Sequence, residues 1–124
     1  MQTILLDTDY VIDFLRGKIE SKTQIVPLLK ENRAYLSVLS VYELYAGMRP
    51  NEKEATDYFI QACHVEFVTI EIAKSAGISR FNYRQKGTTL SIVDCIISET
   101  ARINHHHIAT NNKKHYPDSV FWPK

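Results

Sequence analysis

Cysteine is nearly absent. Two residues, Cys63 and Cys95, stand in a chain of 124, with neither C-x-x-C nor metal-ligand spacing. A disulfide framework and a cysteine-built zinc site are thereby excluded, and the pair reads as small, reduced, buried hydrophobes. Glycine and proline are scarce too, at four each, and there is no low-complexity stretch or internal period, which excludes linker-rich and repeat architectures. Long apolar runs are missing: stretches such as 4–6 and 95–97 fall far short of the roughly 20 residues of a membrane helix. An excess of charge is missing as well. Lys and Arg total 15 against 14 Asp and Glu, a net charge of +1, so bulk charge cannot hold nucleic acid and any such binding must use a local patch. The opening Met1-Gln2-Thr3-Ile4-Leu5-Leu6-Asp7 lacks a basic n-region and an apolar h-region and reads as an immediate strand, so a cytosolic location is expected.

What is present suits one ordinary domain spanning 1–124. Hydrophobic residues make 44% and charged residues 23% of the chain, close to the globular average. Apolar, β-branched or aromatic runs at 3–6, 35–38, 65–70 and 107–109 read as short buried strands, with a fifth at 120–122. Segments of helical spacing lie between them, marked by Ile25, Leu28 and Leu29 and later by Ile92, Ile96 and Ile103. This β/α alternation predicts an α/β fold with a mostly parallel sheet of four to five strands, covered by helices on both faces. Ligands in such folds bind beyond the carboxyl ends of the strands.

Three carboxylates fall at those ends. Asp7 follows the first strand. Glu43 lies in Ser40-Val41-Tyr42-Glu43 after the second, and Asp94 in Ser91-Ile92-Val93-Asp94 at the start of an apolar helix. Each has an ordinary explanation, since Asp caps helices and S-x-x-E or S-x-x-D patterns form capping boxes. Together they say more. A parallel sheet gathers all three on one edge, where like charges need a cation between them. Oxygen ligands without His or Cys neighbours favour Mg2+ or Mn2+ over zinc. The fourth strand runs into Ala109-Thr110-Asn111-Asn112, polar at the same edge and equally consistent with a turn and cap.

Leu5-Leu6-Asp7-Thr8-Asp9 with Ile12-Asp13-Phe14-Leu15-Arg16-Gly17 resembles the opening of the PIN-domain ribonucleases, specifically the VapC-type toxins. Residues 37–47 are similar to their second acidic motif, Ser91-Ile92-Val93-Asp94-Cys95-Ile96-Ile97-Ser98 to the third, and 108–116 to the closing strand and loop. The resemblance implies a PIN-like three-layer α/β/α sandwich and a toxin that hydrolyses RNA as an endoribonuclease with Mg2+ or Mn2+. It also implies a homodimer silenced by a cognate VapB-like antitoxin. Asp7, Glu43 and Asp94 carry over as the acidic metal site, with Thr110 and Asn112 as polar residues of the fourth motif. Many relatives have an acid where Asn112 stands. Asp9 replaces a commonly neutral residue, and adds charge near the site or caps a helix.

RNA would reach this edge past local cations: Arg80 with Arg84 at i,i+4, then Lys86, and Lys113 with Lys114. A solvated helix face is the ordinary alternative for each. Tyr42, Tyr45 and Tyr83 can stack on unpaired bases, or pack in the core or a dimer. His105, His106 and His107 are adjacent and point in different directions, so a connector into strand four fits better than a metal site. His115 reads as a surface or packing residue. Two other functions compete: a phosphatase resembling the haloacid-dehalogenase type, with Asp7-Thr8-Asp9 as a D-x-D pair, and a non-catalytic interaction module whose acids are caps only.

Overall fold

The computed structural model describes residues 1–123. Four parallel strands form the sheet: β1 (Thr3–Leu6), β2 (Ala34–Ser37), β3 (His64–Glu66) and β4 (His106–Ala109), in the order β3-β2-β1-β4. Six helices connect them: α1 (Thr8–Leu15), α2 (Ile19–Lys30), α3 (Val38–Gly47), α4 (Lys53–Ala62), α5 (Ile70–Gln85) and α6 (Ile92–Ile103). The expected alternation is present, and the first strand has the expected bounds. Alternate side chains of β1 go to opposite faces, as the period of two requires. Ile4 and Leu6 join Tyr10, Val11, Leu28 and Leu36 in a core under α1 to α4. Leu5 joins Ile97, Ala101, Ile108 and Tyr116 under α6. The result is three layers, with α5 packed outward against α6.

The departures have local causes. The third strand stops at Glu66 rather than running to 70, because the Thr69 hydroxyl accepts from Ile72 N–H at 3.1 Å and starts α5. The second and fourth strands each begin one residue before their expected start. The fifth strand shrinks to a single parallel bridge, Ile108 to Phe121. Two backbone bonds hold it, Ile108 N–H to Val120 O at 2.8 Å and Trp122 N–H to Ile108 O at 2.9 Å. Pro117 and Pro123 bracket that stretch and have no N–H to extend a ladder. Helix α3 is capped by Ser37, whose hydroxyl accepts from Leu39 N–H at 3.1 Å. The Ser40-to-Glu43 capping box expected from the sequence is therefore not formed; Ser40 is buried inside the helix and Glu43 lies a turn beyond its start. Ser91 does cap α6, accepting from Asp94 N–H at 3.0 Å.

Candidate active site

All the strands are parallel, so the exits of β1, β2 and β4 and the first turn of α6 share one edge. Asp7 follows β1 and occupies the N-cap position of α1, yet its side chain caps nothing. Its carboxylate turns inward instead and is only 7% exposed. Thr110 Oγ1 donates to Asp7 Oδ2 at 2.7 Å, and the Tyr116 hydroxyl donates to Asp7 Oδ1 at 2.8 Å. Thr110 is in turn set by Asn112, whose backbone N–H donates to its hydroxyl at 2.9 Å. Asn112 thus acts through its main chain, and its side chain makes no cap.

Tyr116 ties the acids together. It is wholly buried, and burial first, then the charges of Asp7 and Asp94, push its phenol far above the ordinary range. It remains a proton donor placed between two carboxylates, a neutral partner for charges that would otherwise repel. Asp94 is partly open, with 20% of its side chain exposed and His115 Nδ1 3.6 Å from its Oδ2. Glu43 is held a step away: the Thr8 hydroxyl, next in sequence to Asp7, donates to Glu43 Oε1 at 2.6 Å and lies 3.0 Å from Ser40 Oγ. The N-terminal ends of α1 and α6 add their favourable dipoles beside Asp7 and Asp94.

The arrangement therefore brings Thr110 and Tyr116 onto Asp7, sets Asp94 near enough for its charge to act on the Tyr116 phenol, and holds Glu43 on Thr8, the residue after Asp7. Among the described residues no three His, Cys, Asp or Glu side chains form a ready-made metal cluster. The donor chemistry nevertheless suits a hard divalent ion: carboxylate and hydroxyl oxygens around a buried Asp7, with His115 at Asp94 as the one imidazole beside them among the described residues. Asp9 stands exposed on α1, where an acid in a first turn complements the helix dipole.

The expected basic residues are dispersed. Arg80 Nε donates to Leu90 O at 2.8 Å and braces the α5–α6 connection. Arg84 is exposed beside Phe81 and Ile92 on a groove between those helices. Lys113 lies over the Phe121 ring at 5.5 Å. The three histidines diverge: His105 is exposed with φ of 60°, His106 is buried and His107 half-buried. Burial pushes the Cys63 thiol up to about 12, so it stays protonated and unreactive. Sequence reasoning missed Thr8, Tyr116 and the position of His115. A Tyr six residues after Thr110 carries no motif, and only its hydroxyl facing Asp7 in three dimensions reveals it.

Comparison with known proteins agrees with this fold. Residues 4–116 match the family model described as PIN domain. Two curated relatives from Mycobacterium tuberculosis align over 114 residues. Ribonuclease VapC10 is 32% identical, covering 92% of this chain and 86% of that protein; Ribonuclease VapC19 is 31% identical, covering 91% of each. Among solved structures, DNA-bound VapBC from Salmonella typhimurium superposes with a TM-score of 0.84 at 22% identity, covering 98% of this chain and 97% of that one. A toxin–antitoxin complex from Klebsiella pneumoniae superposes with a TM-score of 0.77 at 22% identity, covering 94% and 92%. The family model, the aligned relatives and the shared fold together make this chain a member of the PIN-domain family.

Proposed function

We propose that this chain is a VapC-type ribonuclease, the toxin of a toxin–antitoxin pair, and that it hydrolyses RNA phosphodiester bonds as a metal-dependent endoribonuclease. The observation that carries the reading is the buried Asp7 carboxylate, which forgoes the helix cap beside it and takes the hydroxyls of Thr110 and Tyr116 instead. A carboxylate used only as a cap would bond the first-turn amides. This speaks against the interaction-module reading. The D-x-D phosphatase reading needs Asp9 as an acid beside Asp7, and Asp9 lies on the exposed side of α1.

Asp7 and Asp94 would hold Mg2+ or Mn2+, with Glu43 as a third acid. Such an ion, when bound, lowers the pKa of a water and stabilises charge on the phosphate. The chain's own residues do the positioning. Thr110 and Tyr116 fix both oxygens of Asp7, Asn112 N–H fixes Thr110, and Thr8 fixes Glu43. Glu43 is the group best placed to orient the attacking water. Arg84 and Lys113 supply local attraction for RNA.

A VapB-like antitoxin is the expected partner, since the structural neighbours include toxin–antitoxin complexes. A homodimer fits the strongly exposed Phe67 and Ile70 at the sheet's carboxyl edge. No helix among the described residues is long and apolar enough to cross a membrane, and an RNA substrate places the activity in the cytoplasm. The test is cleavage of a defined RNA pool by antitoxin-free protein with Mn2+ or Mg2+, beside a chelator control and Asp94→Asn. Cutting that needs metal and is lost in the variant is expected. Folded protein that cuts nothing in the pool overturns the reading.

A further inference from the structure

Between α5, α6 and the segment 117–120 lies a slot of about 270 Å3 that opens beside Asp94 and runs along α6 toward Arg102. It falls just below the range of about 300–1,000 Å3 typical of small-molecule sites, a size for one planar ring system. Its surfaces are of two kinds. Tyr83, Leu90 and Pro117 supply flat or apolar walls. Ser98 and Ser119 meet there at 3.1 Å, and Glu99 and Asp118 add carboxylates.

Those acids are anchored by one oxygen each. Glu99, with 12% of its side chain exposed, takes Ser75 and Arg102 on Oε1. Asp118 takes the Tyr83 hydroxyl on Oδ2. Each keeps a second oxygen to accept from an N–H group. Of the basic groups in the lining, Arg102 is bonded to Glu99, His115 stands beside Asp94, and His106 is buried beside Glu66. This chemistry is poor for a phosphate, which needs free cations. It suits an unpaired nucleobase, with apolar faces and a hydrogen-bonding edge. The slot also begins at Asp94, one of the acids proposed to hold the metal ion beside the scissile phosphate.

We propose that this slot receives an unpaired nucleobase with an exocyclic amino group, from the nucleotide next to the scissile phosphate, and so sets which RNA is cut. The inference rests on the ribonuclease reading above. Carboxylate acceptors favour adenine, cytosine or guanine over uracil, which carries no amino group.

The experiment titrates isotope-labelled protein, with a chelator present, with each of four ribonucleosides, following backbone amide shifts. Shifts concentrated at Ser98, Asp118 and Ser119 are expected. Uridine should bind about tenfold more weakly than the best amino-bearing nucleoside, the worth of a hydrogen bond to a charged group. Ser98→Phe fills the slot and should abolish the shifts. Asp118→Asn tests an exposed position whose φ of 64° asparagine tolerates, and should narrow the discrimination. No shifts at these residues, no preference against uridine, or shifts unaffected in the folded Ser98→Phe variant overturn the proposal. Nucleosides carry no scissile bond and need no metal, so the two readings fail separately. Cleavage of the RNA pool without nucleoside shifts overturns the slot alone, and nucleoside binding without any cleavage overturns the ribonuclease reading.

Discussion

Asp7 shows how far a single position can be read from sequence. Its place after an apolar run marks both a cap and a ligand, and the backbone does adopt the N-cap conformation. The side chain decides the matter through Thr110 and Tyr116, more than a hundred residues away. Local pattern carries no information about such partners. Tyr116→Phe keeps the ring and removes the donor from a buried carboxylate. It is expected to cost about 1.5–3 kcal/mol, read as a lower urea midpoint at unchanged slope. A second residue sets a pH dependence. Burial holds His106 below its usual 6.5, against an opposing pull from Glu66. The unfolded chain then takes up the proton more readily than the folded one. The contribution of neutral His106 is full above about pH 6.5 and is lost as the pH falls through its lowered folded value. Urea midpoints measured above and below pH 6.5 should therefore fall with acidity, and His106→Gln should flatten that fall.

Elements were legible where periodicity and caps agreed. Ser91 was readable as a cap because an apolar helix follows it directly. Near α3 two serines compete, and Ser37 wins because the strand ends there, leaving Ser40 for the buried face. Such ties are broken by packing. Ser91→Ala removes the bond to Asp94 N–H and is expected to destabilise by about 1 kcal/mol; because that bond also fixes the first turn carrying Asp94, RNA cleavage should drop alongside the urea midpoint. Helix α2 offers the opposite case. Pro27 lies exposed inside it, where proline lacks the N–H that would bond the carbonyl four residues back. Pro27→Ala should raise stability by about 2–2.5 kcal/mol, the helix gain of roughly 3 less what proline saves in the unfolded chain, as measured by thermal or urea unfolding.

At the scale of the whole molecule, β/α alternation was enough to predict a layered, parallel sheet and the edge that carries the acids. The unequal layers were not predictable, with four helices over one face and α6 backed by α5 over the other. That division depends on which apolar stripe meets which face. The basic residues illustrate the same limit, since Arg80 and Arg84 share a helix stripe while one braces a loop and the other lies exposed at a groove. Arg84→Ala and Lys113→Ala should each weaken RNA binding and lower the slope of log affinity against log salt by about one unit. Titrations at several salt concentrations check this.

The pairing of β1 with the edge strand β4 joins Thr3 to His106 and Leu6 to Ala109, and Asp7 completes its bonds only with Thr110 and Tyr116. On a ribosome, β1 is therefore made well before β4 (His106–Ala109) and waits for the whole intervening chain before it gains that neighbour. A growing chain that has not yet delivered β4 and the segment to Tyr116 has no arranged acids, so the destructive chemistry proposed here cannot begin until they have emerged.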